Sequence, residues 1–174
     1  MELGRRCPRS QPEPEVILLR QLFLGFCVAA TPALALDSVG TVTAYLDGAD
    51  LTWEVLRVED GSTMAQVNDI GPLTLIDINA MGDGDFHINL IFEGEPSAVT
   101  APAGITIDIR PDGATGPAWQ SDGAPYPPKL MLERLDLDGA GRMEARFVAS
   151  LCRSDAPTTC KLVEGRIDTG LGMP

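Results

Sequence analysis

The chain has 174 residues and a formal charge of −12, set by 25 Asp and Glu against 13 Lys and Arg, with one His and four Cys. That length suits one domain, and so acidic a balance argues against a nucleic-acid binder and against docking on anionic membrane. With 44% hydrophobic residues the chain is too apolar for a disordered acidic tail.

Residues 1–35 read as a secretory signal. Arg5, Arg6, Arg9 and Arg20 are its cations, an apolar stretch runs from Leu22 to Ala30, and Ala33-Leu34-Ala35 fits the A-x-A cleavage pattern. The mature chain is therefore expected to begin at Leu36. The apolar stretch is shorter than the roughly 20 residues of a helical membrane span. Residues 1–15 carry three Glu and three Pro, unlike an ordinary start of a signal, whereas Val16-Ile17-Leu18-Leu19-Arg20-Gln21 makes a compact one, which points to translation starting at Val16. Phe26 before Cys27 is too bulky for a lipid-attachment motif, and the Arg5-Arg6 pair lies too far from the apolar stretch for twin-arginine export. Cleavage leaves residues 36–174, with 22 acids and 9 bases, a net charge of −13, and Cys152 and Cys160 as the remaining thiols. The expected location is periplasmic or extracellular; 11 Arg against 2 Lys, with abundant Ala and Gly, fits a GC-rich bacterial source.

From Leu36 onward the signal is alternation. Val42, Ala44 and Leu46 alternate with polar neighbours, as do Leu51, Trp53 and Val55, then Phe86, Ile88, Leu90 and Phe92, then Ile105, Ile107 and Ile109. Residues two apart share a strand face, so each run has one apolar and one polar side, as in an antiparallel sheet buried on one face. About nine strands are predicted, near 39–46, 51–58, 63–68, 73–79, 86–93, 105–110, 130–137, 143–151 and 160–168. Between them fall Asp47-Gly48, Asp60-Gly61, Gly82-Asp83-Gly84-Asp85 and Asp138-Gly139, residues suited to tight turns. Residues 129–137 are ambiguous, because Leu and Met cluster there with Glu133 and Arg134 in a way that also suits one or two helical turns. The predicted fold is all-β: a single antiparallel β-sandwich over residues 36–174, with a small β-barrel as the alternative.

Two Gly/Pro-rich stretches, 94–104 and 111–128, interrupt the strands. Connections this long are uncommon in a compact domain and are often functional. The second carries Trp119 and Tyr126, which are the candidate binding residues: an aromatic on a proline-stiffened loop can anchor a ligand or plug one end of the sandwich.

Cys152 and Cys160 stand eight apart around a turn-rich segment, too wide for a redox C-x-x-C and with no second pair for zinc, so a structural disulfide is expected. Their strand phases place both on the polar face, with Arg146 and Ser150 on one strand and Glu164 and Arg166 on the other.

Candidate chemistry is sparse. His87, the only histidine, lies on a polar strand face after Asp83 and Asp85, and no G-x-S-x-G elbow supplies a nucleophile for it. A single His excludes a multi-histidine metal centre. Asp136-Leu-Asp138-Gly-Ala-Gly141 resembles the opening of a helix–loop–helix calcium loop, but its fifth position is Ala140 and its twelfth Phe147, so Asp136 and Asp138, like Asp83 and Asp85, are only weak cation candidates. No phosphate loop or dinucleotide fingerprint occurs, and no cofactor is expected. The function expected from these residues is an exported, non-enzymatic module that binds a protein or small ligand or serves the cell envelope. A carboxylate-based secreted hydrolase and a weak calcium-binding structural protein are the alternatives.

Overall fold

The computed structural model describes residues 36–172; the expected signal segment, Cys7, Cys27 and the start at Val16 lie outside them. Ten strands form: β1 (Ser38–Leu46), β2 (Ala49–Leu56), β3 (Ala65–Ile70), β4 (Leu73–Gly82), β5 (Gly84–Glu93), β6 (Gly104–Arg110), β7 (Trp119–Gln120), β8 (Lys129–Asp136), β9 (Arg142–Arg153) and β10 (Ala156–Gly170). Nine fall on the alternating runs, and the tenth is the two-residue β7. Among the described residues no helix is long and apolar enough to cross a membrane.

All the strands join one antiparallel sheet in the order β10-β1-β2-β4-β5-β6-β7-β9-β8, with β3 on the side of β4. Because β9 also pairs with β10, the hydrogen-bonded path returns on itself. The pairing is uneven. Long ladders link β2-β1-β10-β9-β8 and, separately, β3-β4-β5-β6. Between these two groups, β2 meets β4 only at Trp53↔Gly82 and Glu54↔Met81. On the other margin β7 alone bridges β6 and β9, through Asp108↔Gln120 and Ile109↔Trp119 on one side and Trp119↔Arg153 and Gln120↔Cys152 on the other. The result has the two broad faces of a sandwich and the continuous path of a small barrel.

The core lies between those faces and is built from the apolar phase of each strand. Val42, Trp53, Ile76, Ile88, Leu90, Ile107, Phe147 and Val163 are all buried. Trp53, Phe86 and Phe147 form a chain of tilted rings across it, with centroids 5.2 and 5.8 Å apart. Gly165 makes room for this chain: a Cβ there would stand 2.3 Å from the Phe147 ring. At the first hairpin Asp47 and Gly48 have φ of 54° and 89°, the pair of positive values that matches strand twist.

Two segments depart from simple alternation. Residues 129–136 are a strand, not helical turns, and its register with β9 shifts between Leu132 and Arg134. This bulge moves the inward phase from Leu130 and Leu132 to Leu135, a spacing that mimics a helix in the sequence. The stretch between the cysteines is also more extended than expected, because β9 runs to Arg153 and β10 begins at Ala156. The irregularity is confined to the register shift between Ala156 and Cys160, which accommodates Pro157.

Candidate functional site

His87 sits at the centre of the outer face of β4, β5 and β6. Strand register sets its neighbours: Asn79 lies opposite on β4 and Asp108 opposite on β6, while Asp77 faces Asn89 one step along. The His87 Nε2–H donates to Asp77 Oδ2 at 3.0 Å, and Nδ1 lies 3.7 Å from Asp108 Oδ2. Asn79 donates to Asp77 Oδ1 at 2.7 Å and Asn89 to Asp77 Oδ2 at 3.2 Å, so Asp77 accepts three hydrogen bonds.

The electrostatics follow from this geometry. The hydrogen bond to Asp77, helped by the charges of Asp77 and Asp108, raises the His87 pKa above its ordinary 6.5 against the opposing effect of partial burial. Asp77 is lowered below 3.8, chiefly by the hydrogen bond from His87. The imidazole is thus biased towards the cation, with a carboxylate facing each ring nitrogen. It also borders a recess of about 360 Å³ with Met64, Asn79, Met81, Asp108 and Arg110. No Ser, Thr, Cys or Lys lines that recess among the described residues. Such a site can hold a polar group against His87, Asp108 and Arg110.

Of the other residues singled out from the sequence, Asp85 lines the His87 recess and the rest are dispersed. Trp119 is half-buried, rests against the core cluster, and has the Arg153 guanidinium 5.9 Å from its ring centroid. Tyr126 is 72% exposed. Ser121 and Ser154 fix the Trp119 segment: Ile107 N–H donates to Ser121 Oγ at 2.8 Å and Ala118 N–H to Ser154 Oγ at 3.0 Å. Cys152 and Cys160 are directly opposed in register, with Cα atoms 4.0 Å apart, and form a disulfide. Cys152 is buried despite its outer phase, at the end of β9 where β7 joins.

Asp83, a weak cation candidate from the sequence, serves the β2–β4 margin. Its Oδ2 accepts from Thr52 N–H at 2.8 Å and its carbonyl from Trp53 Nε1–H at 3.0 Å. Asp85 stands opposite Arg110. Asp136 accepts from the Asp138 amide at 3.1 Å and pairs with Arg134 at 3.3 Å. Among the described residues no three His, Cys, Asp or Glu side chains gather as a metal-binding group. Asp77 and Asp108 share with His87 the outward phase of their strands, the one sequence signal that marks them as its partners.

A second concavity lies beside β6 and β8. It measures about 700 Å³ and is walled by Ala101, Pro102, Ile105, Leu130 and Phe147, with Lys129 exposed at its edge. The two Gly/Pro-rich stretches shape it: Pro102 lies near the end of one and Pro128 ends the other. Nothing in the alternation pattern locates it, because it forms where two strands distant in sequence fail to meet.

Comparisons with protein-family models, with curated proteins and with solved structures return no match.

Proposed function

We propose that the chain is an exported, non-enzymatic binding module and that the slot between β6 and β8 is its binding site. The slot carries this reading: an apolar concavity of this size with a few polar groups at its rim is the usual form of a small-molecule site. The disulfide suits an oxidising compartment and supports the export expected from residues 1–35.

Saturable fluorescence enhancement of N-phenylnaphthylamine, a neutral apolar dye, tests the slot. Wild-type protein is expected to bind the dye at a single site. Ala101→Trp, a change at an exposed wall residue, should abolish binding with no loss of melting temperature. Dye binding that survives Ala101→Trp would move the site elsewhere. Ester, glycoside or peptide hydrolysis by wild type that vanishes in His87→Asn would overturn the non-enzymatic reading.

A further inference from the structure

We infer that the slot takes a single-chain anionic amphiphile, a long-chain fatty acid carboxylate, with its head at Lys129 and its acyl chain along Ile105, Leu130 and Phe147. This deepens the proposed function and rests on the slot being a binding site.

Three observations converge on it. The walls are apolar and stiffened by Pro102 and Pro128, so an alkyl chain can be buried with little reorganisation of the protein. The rim is cationic in a chain whose net charge is −12. Lys129 makes no ion pair among the described residues, whereas the other lysine, Lys161, contacts Asp47 at 2.7 Å. Arg146, also at the rim, is tied to Glu133 at 2.8 Å, which leaves Lys129 as the open partner for an anionic head. Finally, the slot's apolar wall reaches the outer face of β8 and β9 through Met131 and Val148, and Leu162 on β10 carries it past the slot. Met131, Val148 and Leu162 are 65, 40 and 63% exposed, and the register places them as successive diagonal neighbours. Such a track extends the apolar surface available to a chain longer than the slot.

An extended peptide added to the β8 edge fits less well. That edge opens with Pro128 and Lys129 and carries the bulge at Leu132–Arg134, all devices that discourage strand addition. A neutral apolar ligand would leave Lys129 unused.

The test displaces N-phenylnaphthylamine with oleate, kept below its micellar concentration, or with oleyl alcohol. Oleate is expected to displace the dye from wild type, and Lys129→Gln should weaken it roughly five- to tenfold, as for loss of one charge-assisted contact at a partly solvated rim. Lys129→Arg should restore it, oleyl alcohol should be insensitive to both changes, and Ala101→Trp should remove both ligands. Equal oleate affinity in wild type and Lys129→Gln would overturn the proposal. Dye binding that oleate cannot displace would also overturn it while leaving the slot standing as a binding site. Displacement of the dye by an extended apolar peptide but not by oleate would assign the slot to strand addition instead.

Discussion

His87 links protonation to stability through two shifts of opposite sign. Its pKa is raised in the folded chain, so the stability it contributes is complete below its ordinary 6.5 and is lost as pH rises through the folded value. Asp77 is lowered, so its contribution is present above 3.8 and is lost as pH falls through the folded value. The pair therefore stabilises most between those two ordinary values. His87→Gln should lower the melting temperature most at about pH 5 to 6, with the gap to wild type narrowing towards about pH 9. Thermal melts across that range check this, and a gap independent of pH would show that His87 contributes by packing alone. The histidine and its outward phase were legible in the sequence. Its carboxylates were not, because Asp77 and Asp108 approach it across strands separated from it by 10 and 21 positions in the chain.

At the scale of single elements, β7 and the β9–β10 hairpin hold one margin of the molecule. Trp119 is half-buried against the core, whereas Tyr126, seven residues on, is exposed. Trp119→Ala should therefore cost about 2–3 kcal/mol in urea unfolding, below the cost for a fully buried Trp. Tyr126→Ala should stay within about 0.5 kcal/mol. Equal, small effects would free Trp119 from a plugging role. The disulfide closes a ring of residues eight apart in sequence. Replacing both cysteines by Ser should lower stability by about 2.5 kcal/mol in the chain-entropy view, read as a lower urea midpoint. The pairing could be anticipated because both cysteines share a phase on neighbouring strands. The bulge in β8 could not, since one unpaired residue reverses the phase without altering composition, and a two-residue strand such as β7 has no period to read.

The whole molecule is two broad ladders joined at narrow margins. The β2–β4 margin depends on close approach: a Cβ at Gly82 would lie 2.4 Å from the Thr52 carbonyl oxygen, beside the hydrogen bonds that Asp83 makes to Thr52 and Trp53. Gly82→Ala should loosen this margin first. Hydrogen exchange is expected to quicken at the amides of Thr52, Trp53 and Glu54, while protection in the β9–β10 ladder holds. Uniform loss of protection would mean that the margins and ladders unfold as one unit. At the other margin the gap that β7 leaves unbridged opens as the slot, so the same incomplete closure that makes the fold intermediate between sandwich and barrel also creates this apolar recess.

The sequence by itself determined which residues face inward along each regular strand, where the tight turns fall, and which two cysteines pair. Those features depend on a period of two, on the conformational freedom of Gly and Asp, and on near neighbours, all of which are local. Only the tertiary structure decided that the ladder path returns on itself, that Asp77 and Asp108 flank His87, that Asp83 binds the β2 backbone, and that β6 and β8 leave an apolar slot edged by Lys129. Each of these depends on which strands lie side by side and in what register, and that choice is made by packing of the common core rather than by any one segment.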